Sequence, residues 1–181
     1  LSRLYEARDT AEAMGGSEPI EALVQQLGKD AARVFELGSS FTERWHTAMN
    51  EDFNTGLAVG YLFELARAIN RFGNHKKARK RGGPVVAPAL AAFELAAASV
   101  GLMAMPTKDF LEEVKAKRLK SMGVSREDVE ARLAARQQHR TDKLWAASDA
   151  IRDELDAMGI VVMDGADGVE WKVKVSSADD E

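Results

Sequence analysis

The sequence predicts a mainly α-helical protein, an antiparallel helical bundle followed by a small α+β unit of two helices and a β-hairpin. Between Met49 and Arg71 the apolar residues recur every three or four positions, as they do along one side of a helix. Hydrophobic residues make up 45% of the 181 residues and aromatic residues only 7%, which favours helices packed through small side chains. After Gly159 the helical spacing gives way to short apolar runs that are typical of strands.

The longest amphipathic segment follows Asn54 and Thr55, and either residue can accept the free backbone N–H groups at the start of a helix. Its apolar stripe contains Leu57, Ala58, Tyr61, Leu62, Leu65, Ala66, Ile69 and Phe72. A stripe of this length must pack against several other helices. We therefore expect this segment to be the central helix of the bundle.

Shorter helical patterns flank the central helix and are divided by glycine, proline and capping residues. They cover Leu1–Met14, Ile20–Leu27, Ala31–Leu37, Phe41–Met49, Pro88–Leu102 and Thr107–Leu119. Ser40 and Glu43 are predicted to form a capping box. Trp45 and Met49 are predicted to lie in the core rather than at a cofactor.

A turn at Ser121–Val124 is the predicted boundary between a bundle domain, residues 1–122, and a second domain, residues 123–181. Ser125 and Asp128 are predicted to cap the first helix of the second domain. The predicted elements are a helix ending near Arg140, a helix over Trp145–Met158, a strand at Ile160–Met163, a turn at Asp164–Gly168 and a strand at Val169–Val175. Because a lone hairpin is marginal in water, we expect the strands to pack on the two helices.

The charge of the chain is unevenly distributed. The net charge of −4 argues against nucleic acid as a partner, but Asp179–Glu181 form an acidic tail and a basic run precedes Gly82. The basic run contains Lys76, Lys77, Arg79, Lys80 and Arg81. Charges more than about 10 Å apart are largely screened, so the local run matters more than the total. Two interpretations stay open: cations that complement a helix C-terminus, or residues that bind a phosphate backbone.

Several other kinds of site are not indicated by the sequence. The absence of cysteine excludes disulfides, thiolate metal ligands and a cysteine nucleophile within these residues. His75 has no second ligand at metal spacing, and neither a glycine-rich phosphate loop nor an acid–base pair is evident. No long apolar run or leader is evident, so we expect no membrane span or signal peptide. Helical spacing already begins at Leu1, which we interpret as a piece of a longer chain.

Two sets of residues resemble cysteinyl-tRNA synthetases. The run Glu51-Asp52-Phe53-Asn54-Thr55, followed by Leu65-Ala66-Arg67-Ala68-Ile69-Asn70-Arg71, is similar to the DALR-type helical bundle of that family. A longer pattern is similar to the C-terminus of the family and comprises Arg136, Arg140, Lys143, Trp145, Asp149, Ile151 to Leu155, Gly159, Ile160, Asp164, Gly168 and Trp171. The departures are Gly56 in place of Pro, His139 and Ser148 in place of Ala, and Leu144 in place of Asp. Because that Asp would cap the second helix, either Asp142 replaces it or the two helices are continuous.

The resemblance implies a tRNA-binding role. In this family the bundle contacts the tRNA between its anticodon and acceptor ends, and the C-terminal unit binds the anticodon, which is GCA in tRNA(Cys). Arg140, Asp149 and Asp164 are the implied contacts to base edges, with Trp145 as a stacking or packing partner. Arg136 and Lys143 are implied phosphate contacts, and Lys76, Lys77 and Lys80 are candidates for the RNA backbone.

Each candidate also has a purely structural interpretation. Asp149 could be a helix-surface charge, Asp164 could simply begin the hairpin turn, and Trp145 could fill the core. Trp171 is predicted to be a core residue. At the level of function, the alternative is a helical module that docks another protein without binding RNA. A relation to the cysteine ligase of mycothiol synthesis is disfavoured by the residues from Arg140 to Trp171.

The resemblance also implies what the chain lacks. The HIGH and KMSKS nucleotide signatures of class I synthetases and the family's zinc ligands do not occur in the sequence. We therefore expect no catalytic residue, metal or cofactor here. The resemblance implies a catalytic domain of the same enzyme that uses ATP and zinc. It also implies a cytoplasmic, monomeric enzyme that has tRNA(Cys) as its partner.

Overall fold

The computed structural model describes residues 1–165 and 168–174. These residues form ten helices and one two-stranded antiparallel sheet. The helices are α1 (Ser2–Glu12), α2 (Ile20–Leu27), α3 (Lys29–Ser39), α4 (Phe41–Asn50), α5 (Thr55–Gly73), α6 (Lys76–Arg81), α7 (Gly83–Val100), α8 (Thr107–Met122), α9 (Arg126–Thr141) and α10 (Trp145–Ala157). The strands are β1 (Ile160–Gly165) and β2 (Gly168–Val173). The predicted class, mainly α with a small β-hairpin, is confirmed.

The chain divides into two compact units, Leu1–Leu111 and Glu112–Glu181. The division falls inside α8, earlier than the predicted boundary at 122/123. The reason is that Phe110 packs on the core of the first unit, whereas Leu119 is buried in the core of the second. One continuous helix therefore supplies both cores, and the glycine turn after it is not where the packing changes.

The core of the first unit is built around α5. Leu62, Leu65, Ile69 and Phe72 are buried on one side of this helix, which packs on α1, α3 and α4. Asn54 caps it, because its side-chain oxygen accepts a hydrogen bond from the Leu57 backbone N–H at 3.0 Å. The predicted central helix and one of its two candidate caps are confirmed. The predicted burial of Trp45 in this core is also confirmed.

The predicted capping box at Ser40 and Glu43 is wrong. Ser40 has helical backbone angles, φ −87° and ψ −4°, and its hydroxyl donates to the carbonyl oxygen of Glu36 at 2.8 Å. A capping residue needs a non-helical backbone so that its side chain can reach the next turn. The near-continuous passage from α3 to α4 removes that geometry.

Helix α7 begins at Gly83, before the predicted Pro88, with Pro84 in its first turn and Pro88 inside it. By length and composition alone α7 could cross a membrane, with a mean hydropathy of 1.5 over 18 residues, 33% of them buried, and the absence of a membrane span stays a prediction. Its buried residues belong to the core of the first unit, and α3 packs closely on it. At this contact the buried Gly38 faces α7, and a Cβ at Gly38 would lie 2.8 Å from the Ala89 backbone nitrogen.

The second unit packs α10 on both α9 and β1, and β1 pairs with β2. Val129, Leu155 and Ile160 are fully buried in its core. Asp164 lies within β1 and pairs with Val169, so the first strand extends further than predicted. Ala166, Asp167, Val175 and the predicted acidic tail lie outside the described residues.

Candidate nucleic-acid interface

A buried guanidinium in the second unit is paired with a partly exposed carboxylate. The Arg136 side chain, on α9, is 2% exposed, whereas that of Asp164, on β1, is 42% exposed. Arg136 Nη1 donates to Asp164 Oδ1 at 2.9 Å, and Arg136 Nη2 donates to Oδ2 at 2.8 Å. This is the parallel two-bond geometry that an arginine fork makes with a carboxylate. The geometry disfavours the predicted phosphate contact of Arg136, because its terminal nitrogens face Asp164 from the interior.

Arg140 lies one helical turn beyond Arg136 and approaches the same carboxylate from the surface. Its Nη1 donates to Asp164 Oδ2 at 3.0 Å, and its side chain is 39% exposed. Residues four apart share a face of a helix, so the sequence spacing brings both arginines to Asp164. Asp164 therefore accepts three hydrogen bonds, and Arg140 retains N–H groups toward solvent.

Electrostatics tie Asp164 to α9 and α10. The Arg136 hydrogen bonds lower the pKa of Asp164, and partial burial opposes them; the charges of Arg136, Arg140 and Arg152 lower the pKa further. In turn, the hydrogen bond to Asp164 raises the pKa of Arg136, and the negative charge of Asp149 adds to this effect. Thus Asp149 and Arg152, both on α10, lie within electrostatic reach of the same ion pair. Arg152 had no predicted role, although its place three residues after Asp149 puts the two on one helix face.

Trp145 and Asp149 stand one turn apart on α10. Trp145 is 58% exposed at the start of the helix, which excludes its predicted alternative as a core residue. Asp149 is exposed and forms no hydrogen bond or ion pair with the described residues. An exposed indole and an unpaired carboxylate on adjacent turns provide a stacking surface beside a hydrogen-bond acceptor.

The turn between α9 and α10 exposes Lys143. Its backbone has φ 59°, the left-handed region, and its side chain points to solvent. Lys143 N–H donates to Arg140 O at 3.1 Å, and Leu144 N–H donates to His139 O at 2.8 Å. These bonds end α9, so the two helices are separate. Asp142 does not cap α10: it accepts from Gln138 instead, and Leu144 occupies the N-cap position.

Trp171 lies on β2, half-buried against the core of the second unit. The Lys115 ammonium lies 4.3 Å from its ring centroid, and the Arg126 guanidinium lies 5.7 Å from it. Both distances are within the range of cation–π attraction. The predicted core role is therefore correct in part, and the covering cations could not be inferred from a strand pattern.

The basic run forms its own helix, α6, in the first unit. Lys76, Lys77 and Lys80 are exposed and make no ion pair with the described residues. By contrast, Arg79 donates to the Gly73 carbonyl oxygen at 2.8 Å, and Arg81 pairs with Glu18. The interpretation of the whole run as a helix C-terminus is weakened, because Lys76 and Lys77 lie in the first turn, where the macrodipole disfavours cations.

A glycine pair holds α6 in place. Gly15 N–H donates to Arg79 O at 3.0 Å, and Gly83 N–H donates to Gly15 O at 2.8 Å. Gly16 has φ 107°, and a Cβ there would lie 2.7 Å from the Arg81 carbonyl oxygen, so only glycine allows this approach. The predicted helix-ending glycines thus also fix the position of the lysines.

His75 precedes α6 with an exposed side chain, and the carboxylate of Asp30 lies beside it. Its Nε2 lies 3.1 Å from Asp30 Oδ2, and a pocket of about 340 Å³ is lined by His75, Lys76, Lys77 and Gln26 among others. Within residues 1–165 and 168–174, no group of three or more histidine or carboxylate side chains is placed to hold a metal ion.

Comparisons with known proteins match both units. Residues 44–98 match the DALR domain family, and residues 125–171 match the cysteinyl-tRNA ligase anticodon binding domain. The two domains, in this order, define the anticodon-binding region of a class I aminoacyl-tRNA synthetase.

Relatives that cover most of the chain are cysteine–tRNA ligases. The enzyme of Desulfotalea psychrophila is 34% identical over 176 residues, which is 96% of this chain and 35% of the relative. That of Methylococcus capsulatus is 38% identical over 173 residues, 95% of this chain and 32% of the relative. That of Chromohalobacter salexigens is 41% identical over 140 residues, 77% of this chain and 28% of the relative. The chain belongs to the cysteinyl-tRNA ligase family, and it spans about a third of the length of these curated relatives.

Proposed function

We propose that the chain binds tRNA(Cys) and discriminates its GCA anticodon, as the tRNA-binding part of a cysteine–tRNA ligase. One observation supports this proposal: Arg140, Asp149 and Asp164, on α9, α10 and β1, belong to one electrostatic cluster. Trp145 is exposed on the same helix as Asp149. Unpaired anticodon bases can stack on an aromatic ring and present their Watson–Crick edges to such groups.

The two carboxylates differ in the acceptor sites that they offer. An ionised carboxylate has about four lone-pair sites. Asp164 already accepts three hydrogen bonds, so it suits a single base donor such as one N–H of the cytosine amino group. Asp149 accepts none from the described residues and suits two adjacent donors, as on the guanine edge. Arg140 complements them as a donor to base acceptors.

The first unit contributes affinity of a different kind. The exposed Lys76, Lys77 and Lys80 on α6 are suited to the RNA backbone, whose phosphates attract cations regardless of sequence. Lys143 is exposed in the turn before α10, and we propose that it contacts a phosphate near the anticodon. We propose that these four lysines position the tRNA and that the carboxylates and Arg140 select it.

We propose that the catalytic steps take place outside these 181 residues. Cysteine activation with ATP and transfer to tRNA would use a catalytic domain of the same enzyme, with its own zinc, in the cytoplasm. In this scheme the 181 residues hold no catalytic group, and their partners are tRNA(Cys) and that domain.

The experiment is a binding titration of the 181-residue chain with tRNA(Cys) and with transcripts altered at each anticodon base in turn. We expect each altered base to weaken binding by about 1–3 kcal/mol, the usual cost of one mismatched contact. Asp149→Ala should lower affinity for tRNA(Cys) and remove the penalty at one anticodon position. Asp153→Ala, which removes the same charge from an exposed position on α10, is the matched control and should leave both unchanged.

Equal binding of all four transcripts would reject anticodon discrimination and leave only backbone binding. If none of them binds even at low salt, the protein-docking alternative is favoured, because phosphate contacts strengthen as salt falls.

A further inference from the structure

Arg136 lies inside the second unit, yet its two terminal nitrogens bond to the partly exposed carboxylate of Asp164. We propose that Arg136 is a positioning residue for anticodon discrimination: from the interior it holds the Asp164 carboxylate in one orientation, so that the remaining acceptor site of Asp164 faces the RNA. This inference rests on the proposed function and assigns a role to a residue that does not itself touch RNA.

The side chain of Asp164 needs such a support. It is 42% exposed near the end of the hairpin, where an unsupported carboxylate rotates among rotamers and accepts from water. Two parallel bonds from a planar guanidinium fix the plane of the carboxylate, which a single ammonium cannot do. Arg140 adds a third bond from the surface. The conformational cost of ordering Asp164 is then met before RNA arrives, which is how preorganisation increases affinity.

The position of Arg136 follows from the face of α9 that carries it. Val129, two turns earlier on the same face, is fully buried in the core. Arg136 Nε is also buried and has no hydrogen-bond partner among the described residues, so the bonds of this guanidinium go to Asp164 alone. A buried cation with an incompletely satisfied guanidinium is a poor source of stability, since apolar replacements of buried ion pairs are often neutral or stabilising. A role in recognition accounts for it better than stability does.

The test measures discrimination ratios, defined as the affinity for tRNA(Cys) divided by that for a transcript altered at one anticodon base. Asp164→Ala should abolish the discrimination ratio at one anticodon position. Arg136→Met in the 181-residue chain should lower that same ratio about tenfold, because it releases one fixed side chain. The other two ratios should stay within about twofold. Arg132→Met on the same helix, whose side chain is 40% exposed and contacts Glu154 instead, is the matched control.

Two further measurements separate positioning from a general structural effect. In the Asp164→Ala background, Arg136→Met should cause no additional loss, because the group that it positions is gone. As the pH is lowered, the Arg136→Met variant should also lose anticodon discrimination at a higher pH than the wild type does, because Arg136 no longer lowers the pKa of Asp164. An effect on folding alone would instead lower the affinity for all four transcripts at every pH.

The inference is overturned if Arg136→Met keeps the wild-type ratio at all three positions, or if it lowers the ratio equally with and without Asp164. If Arg136→Met does not fold, as judged by circular dichroism, Arg136→Lys decides by the same criteria, because it keeps the charge and loses the two-bond geometry. A wild-type chain that shows no discrimination at all rejects the proposed function itself, and that outcome is visible before any variant is made.

Discussion

Replacing Lys76, Lys77 and Lys80 by alanine should reduce the salt dependence of tRNA binding. These three lysines are exposed on α6 and form no ion pair with the described residues, so each is available to one phosphate. Each phosphate contact contributes about 0.7 to 0.9 to the slope of log affinity against log salt concentration. The slope of the α6 triple variant should therefore be smaller by roughly 2 to 3. Between about 50 and 200 mM salt, wild-type affinity should fall roughly 20–40-fold more than that of the variant.

The assay is filter binding or fluorescence anisotropy with tRNA(Cys) and one non-cognate tRNA over that salt range. Both tRNAs should lose affinity alike, because phosphate contacts carry no sequence information. Alanine at Lys108 and Lys120, which are exposed on α8, and at Lys117, which pairs with Glu113 at 2.7 Å, removes the same total charge and serves as the control. An unchanged slope in the α6 triple variant, or an equal change in the control, would show that α6 does not bind the backbone.

Three further predictions concern stability and stacking. Gly38→Ala should destabilise the fold by about 1–2 kcal/mol, because the new Cβ would lie 2.8 Å from a backbone nitrogen of α7. Gly60→Ala should stabilise the fold by about 0.5–1 kcal/mol, because a Cβ there would contact nothing beyond its own helix backbone within 4 Å. Urea unfolding measures both changes. Trp145→Ala should weaken tRNA binding by about 1–3 kcal/mol with an unchanged melting temperature, since the indole is 58% exposed. Because the pKa of Asp164 is lowered in the folded state, its ion pair stabilises the fold fully above about pH 4, and this stabilisation is lost as the pH falls below that value. In thermal melts over this acid range, the Asp164→Asn variant should therefore lose less stability than the wild type. An equal loss in both would contradict the assignment.

The central helix could be predicted because its apolar periodicity and its N-terminal capping residue indicate the same segment. The stripe of α5 and the side-chain oxygen of Asn54 both mark the same helix, and the structure confirms them. The capping box at Ser40 failed because a residue pattern does not specify the backbone angles that a cap needs. The predicted boundary at 122/123 differs from the division of the structure for a related reason: glycine marks the end of α8, but the change of core occurs within it, between Phe110 and Leu119.

The structure brings together several of the residues selected from the sequence, and their contacts to RNA stay a prediction. Spacing of four places Arg136 and Arg140 on one face of α9, and the structure brings both to Asp164. Which arginine is buried depends on how α9 and β1 pack on α10, a tertiary arrangement that the sequence signals only through residue spacing. The available signal was that Arg136 continues the spacing of Val129 and Leu133, which are apolar. A cation on an apolar stripe indicates an internal ion pair rather than a phosphate contact.

The distribution of charge assigns different roles to the two units. In the second unit, Arg136 and Arg140 are offset by Asp164 and Asp149, so this cluster offers directed hydrogen bonds and little net field. In the first unit the α6 lysines are not offset by partners among the described residues. Salt dependence should therefore follow from α6 and anticodon discrimination from the cluster. The α6 triple variant should change the salt slope without changing the discrimination ratios, and Arg136→Met should do the reverse, because an ion pair that is already neutralised releases few counterions on binding.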